Sequence, residues 1–429
     1  MNEFGDAPAA FLEVAAGIGR ALCREAHWDR EGRWCNWMGR SSREMTRVGG
    51  PITPTAIALG PDVYGGSAGV ALFLAQLGAV TGDEECRRTA LGAIARSIRQ
   101  MTHRPAADAV PLSFYAGAVG LAYAAHRVAA LTEVHALDDD VDALLTSVER
   151  AAADPHLLDL LGGSAGAIPA LLSLARVERW RRLRELAVGL GEELCRTAVR
   201  QGSVWTWDVE KACGPGVGTA MLTGFGHGAS GLGLALLELY AATGRADFLE
   251  GGRAAFAYED QLFDVRVGNW PDLRSMESAG ATPGPRYMVA WCHGAPGIAL
   301  ARLRALALDA DRRDAYAATA RAALDTTAAA LERVAQHPRA DASLCHGLAG
   351  LAEIVLTGGD WLGEDNYRTP ALAAAAELVA RHAVRGDWPS GMASLGPNPS
   401  LMLGTAGIGY HLLRHLLLRQ VPAVLLTLP

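Results

Sequence analysis

Gly66-Ser-Ala-Gly69-Val-Ala-Leu-Phe-Leu-Ala-Gln-Leu-Gly-Ala-Val-Thr-Gly82 joins a glycine pair to a long apolar run. A lone Gly-x-x-Gly carries little information, but this one recurs along the chain. It returns as Gly117-Ala-Val-Gly120, Gly163-Ser-Ala-Gly166 and Gly228-Ala-Ser-Gly231, then as Gly294-Ala-Pro-Gly297, Gly347-Leu-Ala-Gly350 and Gly404-Thr-Ala-Gly407. Seven copies, spaced 46 to 66 residues apart, mark a repeat architecture.

Each apolar run is hydrophobic nearly all round, which predicts a buried helix. Between the runs lie seven stretches with a polar face, such as FLEVAAGIGRALCREAHW (11–28) and RRDAYAATARAALDTTAAALERV (312–334). Their apolar residues recur at three- and four-residue steps, the period of an amphipathic helix. Inner and outer helices thus alternate, and the expected fold is all-α: an α/α barrel, or toroid, of seven inner and seven outer helices. The Gly-rich turns should share one end, where glycine lets crowded backbones approach. A ring cannot be cut without exposing its core, so residues 1–429 are expected to form a single domain.

The bulk numbers agree. Half of the 429 residues are hydrophobic and aromatics are few, which favours helices. The net charge is −7 with no basic stripe, so no nucleic-acid partner is expected. The N-terminus lacks a basic segment followed by an apolar one, and no apolar run approaches 18 residues. Neither a signal peptide nor a membrane span is expected, and the expected compartment is the cytoplasm. The closing LLLRQVPAVLLTLP reads as a helix end and a packed tail. Seven scattered cysteines, an odd number, then read as reduced thiols or metal ligands. Two connections break the rhythm, 201–227 and 264–293; they carry Trp205, Trp207, Cys213, Trp270 and Trp291. Loops on a rigid scaffold concentrate function.

Two of the seven turns contain cysteine: Trp291-Cys292-His293-Gly294 and Cys345-His346-Gly347. On a shared barrel end, Cys292, Cys345 and His346 can converge. Two thiolates and an imidazole suit zinc and leave a fourth position open, as catalytic zinc sites do. The competing reading is a pair of small buried thiols. His293 is left out of the set, since three ligands are already present. His227, just before Gly228, points to the same end; it reads either as an acid or base near the metal or as a histidine bonded to a loop carbonyl. Asp159, four residues before Gly163, reads as a partner of His227, a binder of a substrate amide, or an N-cap.

These residues together resemble the lanthionine synthetase C-like (LanC-like) cyclases. The resemblance is carried by Trp291-Cys292-His293-Gly294-Ala-Pro-Gly297, Ser343-Leu-Cys345-His346-Gly347, Gly226-His227-Gly228, Asp159 ahead of Gly163, and the sevenfold repeat. It spans roughly residues 10 to 420. It implies a double seven-helix barrel with Zn2+ held by Cys292, Cys345 and His346, and with His227 and Asp159 as the catalytic pair. It also implies an enzyme that adds peptide cysteine thiols to dehydroalanine or dehydrobutyrine, closing (methyl)lanthionine rings. The partners implied are a dehydrated precursor peptide and, with no dehydratase or kinase-like segment visible here, separate dehydrating enzymes. Two rival readings keep the zinc site: addition of a small thiol such as glutathione, and a non-catalytic peptide scaffold. One departure is visible. Some members carry an arginine four residues before the first zinc cysteine; here that position is Met288, with Arg286 two residues further back.

Overall fold

The computed structural model describes residues 7–41, 55–103, 112–134, 137–218, 220–274, 285–391 and 398–427. Of the two long connections, residues 219 and 275–284 lie outside the described residues, as do the last two residues of the apolar tail.

Fifteen α-helices carry the described chain. Seven begin on the Gly-rich turns: α2 (Ser67–Thr81), α4 (Ala118–Thr132), α6 (Ser164–Leu174), α9 (Ala229–Thr243), α11 (Ala295–Leu308), α13 (Leu348–Leu362) and α15 (Thr405–Leu416). These are the inner helices, and most of their residues are buried. Alternating with them are α1 (Ala7–Glu25), α3 (Glu84–Thr102), α5 (Asp138–Ala151), α7 (Leu183–Thr197), α10 (Ala246–Asp260), α12 (Arg313–Gln336) and α14 (Asp365–His382). The remaining helix, α8 (Val209–Cys213), is a single short turn in the first long connection.

Packing closes the double ring. Each inner helix touches the next, α2 to α4, α6, α9, α11, α13 and α15, and α15 returns to α2. Each outer helix covers the inner helix before it, except that α1 packs chiefly on α15. The outer helices bury only one stripe; in α5 that stripe is Val141, Leu144, Leu145 and Val148. Three two-stranded ribbons are added at the edges: β1–β2 (His27–Trp28, Cys35–Asn36), β3–β4 (Met38–Ser41, Thr55–Ala58) and β5–β6 (Val199–Gln201, Val204–Thr206). Among the described residues no helix is long and apolar enough to cross a membrane.

The repeat has a steric cause. At the second glycine of every motif, a Cβ would lie 1.6–2.4 Å from the carbonyl oxygen six residues earlier, from Val63 O below Gly69 to Leu401 O below Gly407. Contacts that short do not exist between real atoms, so only glycine lets the incoming loop lie flat on the first helical turn. The tail after α15 folds back inside the ring. Val424 O accepts from the Tyr115 hydroxyl (2.9 Å) and Leu425 O from Trp291 Nε1 (3.0 Å), so the tail ties the second turn to the fifth.

Candidate active site

Backbone hydrogen bonds stitch the turns together at the position two residues before each first glycine, or beside it. Tyr64 N donates to Tyr115 O, Met402 N to Tyr64 O, Cys345 N to Met402 O, Trp291 N to Cys345 O, Gly226 N to Cys292 O and Leu161 N to Gly226 O, all at 2.9–3.0 Å. Side chains at these positions therefore gather at one mouth. In the fifth turn the first glycine is also required by its backbone: Gly294 has φ +83° and its Cβ would lie 1.9 Å from Met288 O.

Cys292 and Cys345 meet with their sulfurs 3.7 Å apart. Two sulfurs on one tetrahedral zinc at about 2.3 Å stand about 3.8 Å apart. The Tyr64 hydroxyl donates to Cys345 Sγ at 2.9 Å, and Cys345 donates to Cys292. That last bond lowers the Cys292 thiol to about 7 despite its burial, helped by the nearby charges of His227, His346 and Arg274. Cys345 goes the other way, raised by the same bond and by burial.

His346 follows Cys345, but its Nε2 turns away, 3.1 Å from both Gly391 O and Asp341 Oδ2. A ring held this way at Nε2 leaves Nδ1 for a metal, the arrangement in which a carboxylate or carbonyl orients a ligating histidine. The thiol pair fits zinc in spacing and chemistry, and His346 would have to close on it through Nδ1. The group of described residues whose candidate ligand atoms all lie within 4.8 Å of one another is instead Asp159, Cys213 and His227.

His227 is held at Nδ1 by Asp159 Oδ2 at 2.5 Å. Asp159 is fully buried; its other oxygen accepts from Gly162 N at 2.7 Å, and the N-cap of α6 is Gly163. Burial pulls the His227 pKa down, but the bond and charge of Asp159 outweigh it, and the net shift is upward. The imidazole is 26% exposed, open to the mouth. His293, 5.6 Å from it ring to ring, is buried and pushed down to about 3 by desolvation and by the Arg274 and His227 charges.

Four further residues shape the site. Tyr64 occupies, in the first turn, the position that Cys292 and Cys345 occupy in theirs, a signal present in the repeat alignment. Cys213 donates to His227 O at 3.1 Å. Arg274, not Arg286, lies on Met288: its Nη2 is 2.7 Å from Met288 Sδ and 2.6 Å from Asp272 Oδ2, while Arg286 pairs with Asp272 through backbone only. Glu259, buried on α10, accepts from Gly224 N and Ser230 N and so clamps both sides of the turn that carries His227. Nothing in the sequence around Arg274 or Glu259 marks them.

The profile of the lanthionine synthetase C-like protein family matches residues 58–426. The chain belongs to that family. Among solved structures, nisin cyclase superposes with a TM-score of 0.62 at 18% identity, over 85% of this chain and 92% of that one, which shows the LanC-like toroid. An inactive α-1,6-mannanase variant from Salegentibacter sp. HEL1_6 (TM-score 0.44, 11% identity, 95% of this chain and 98% of that one) shares less. So does a sugar epimerase from a ruminal bacterium (0.41, 12%, 84% and 83%). No curated protein sequence matches the chain. The family expected from the motifs and the fold expected from the glycine repeat are thus both found.

Proposed function

We propose that this chain is a zinc-dependent lanthipeptide cyclase that adds cysteine thiols of a dehydrated peptide to its dehydroalanine or dehydrobutyrine residues. The observation that carries the reading is the pairing, at one mouth, of two thiols at zinc spacing with a carboxylate-held imidazole. Cys292, Cys345 and His346 would hold the zinc, which supplies an open position where a peptide thiol loses its proton near neutral pH.

The chain's own residues account for the rest. Conjugate addition forms a C–S bond at the β-carbon and sends the alkene pair toward the α-carbon and its carbonyl. His227, raised by Asp159, takes a proton as imidazolium and returns it to the α-carbon, so the product has the mass of the reactant. Asp159 fixes the ring so that Nε2 is the nitrogen that exchanges the proton. Arg274, 28% exposed, presents its guanidinium on the same side and favours negative charge developing on the carbonyl oxygen. Glu259 holds the turn in register.

The test mixes zinc-loaded protein with synthetic peptides bearing one dehydroalanine and one cysteine, alone and with glutathione, then alkylates unreacted thiols. Loss of the alkylatable thiol at unchanged mass supports cyclisation. A mass gain of one glutathione identifies the small-thiol reaction instead, and no thiol consumption above the buffer rate overturns the reading.

A further inference from the structure

Cys213 has no part in the proposed reaction, yet the fold builds it into the site. It ends α8, and Gly214, with φ +101°, turns the chain sharply away behind it. Ala212 O accepts from both Leu158 N (3.1 Å) and Asp159 N (3.0 Å), which locks the Cys213 segment against the Asp159 segment. The thiol itself reaches the backbone of His227. Three donors of different chemistry are thereby fixed around one point: a carboxylate oxygen, a sulfur and an imidazole nitrogen, all within 4.8 Å of one another. Asp159 uses Oδ1 on Gly162 N, so Oδ2 is the oxygen directed at the cluster.

We propose that Asp159, Cys213 and His227 form a second metal site, specific for a thiophilic divalent cation such as zinc or cadmium and separate from Cys292 and Cys345. Ligand distances of about 2.0–2.3 Å place the donors of one tetrahedral ion about 3.3–3.8 Å apart. The metal takes the place of the proton between Asp159 and His227, which opens their 2.5 Å hydrogen bond by about an ångström. Binding releases the Cys213 thiol proton and the imidazole proton, so affinity rises with pH. Burial and the Asp159 charge both hold the Cys213 thiol protonated, which makes this the weaker of the two sites near neutrality. An ion here occupies His227 Nδ1 and takes from the ring the Asp159 carboxylate that raises its pKa and presents Nε2 for proton transfer. That inhibitory consequence rests on the cyclase reading, whereas the binding does not.

The experiment titrates cadmium into the apoprotein and follows thiolate-to-metal absorbance in the near ultraviolet. The wild type should take two equivalents, the second with a further thiolate band and tighter at higher pH. Cys213→Ala should keep the first and bind the second more than about 100-fold more weakly, since losing a ligand exceeds the 10–100-fold effect of losing a ligand's support. The Cys292→Ala, Cys345→Ala double variant should retain one equivalent with a single-thiolate band, which disappears when Cys213→Ala is added. One equivalent in the wild type, or a second equivalent indifferent to Cys213→Ala, overturns the site. In the peptide assay, zinc beyond one equivalent should inhibit the wild type and spare Cys213→Ala. Absence of any thiol consumption by the wild type would count against the cyclase reading and leave the absorbance result standing.

Discussion

His227 depends on one short bond from a fully buried carboxylate, so the consequence of losing it can be stated by sign. Asp159 raises the His227 pKa; Asp159→Asn should lower it, leaving less imidazolium near neutrality. The falling, alkaline limb of the ring-closure rate profile should move to lower pH, with zinc content unchanged; an unmoved limb would assign the proton to another group. His227→Ala should slow ring closure by on the order of 10²- to 10⁴-fold and keep the metal. If that variant loses its zinc, His227 is a ligand. Tyr64 donates to Cys345, a ligand of the proposed zinc: Tyr64→Phe removes that donor and should weaken zinc retention against a chelator about 10- to 100-fold. At this scale the sequence was informative wherever a residue occupied a motif. Cys292, Cys345, His346 and His227 all flank a first glycine, and Tyr64 does too. Arg274 was illegible because it enters from a loop beside Met288, and a thioether contact leaves no pattern in sequence.

At the scale of the element, the fourth turn shows how a loop is made rigid. Glu259 on α10 reaches across to Gly224 N and Ser230 N, bonds the Ser230 hydroxyl, and meets Arg302 of α11, which is wholly buried and also bonded to Phe256 O. Burial raises the Glu259 pKa, and Arg302 and the three turn donors act against that rise. Removing Glu259 leaves the wholly buried Arg302 with Asp260 as its remaining counter-charge. Glu259→Leu should therefore cost about 3–5 kcal/mol in denaturant unfolding, while the Glu259→Leu, Arg302→Met double variant should recover much of it. Equal losses in both would mean the pair is not a unit. The helices themselves were legible because glycine pairs and apolar periodicity are local. The Glu259–Arg302 link was not, since a charge in an amphipathic helix ordinarily faces water.

For the whole molecule, buried ionisable groups set an acid limit. Arg414 and His411 of α15 hold the buried Glu353 carboxyl of α13 down to about 2. Its folded value is depressed, so its contribution is present above the ordinary carboxylate range and is lost as pH falls from about 4.5 toward 2. The ring nitrogens of His415 are buried without a hydrogen-bond partner among the described residues, and desolvation drives its pKa well below the ordinary histidine value. That stability is present above about 6.5 and decays as pH falls below it. Melting temperature should therefore drop between pH 7 and 5, and His415→Phe should flatten this first decline but leave the second, below 4.5. We expect a single unfolding transition, because inner and outer helices share one contiguous buried cluster. Ring closure was readable from seven recurrences of one glycine turn. The packed tail was also readable, but not the partners of its backbone acceptors, Val424 and Leu425, which could have served any donor.

The pairing of α1 with α15 also bears on how the chain acquires its shape. Every other outer helix packs on the inner helix just before it, a partner available as soon as the intervening turn is made. The first helix has its main partner beyond residue 404, so it carries an unmet apolar stripe, including Phe11, Ala15, Ile18 and Leu22, through the assembly of the six pairs between. Closing so long a loop is entropically the slowest step, which makes the seam between α1 and α15 the last to form in refolding and the place where nascent chains are most prone to aggregate. Pulse-labelled hydrogen exchange should accordingly find the amides of α1 protected after those of α9 to α13.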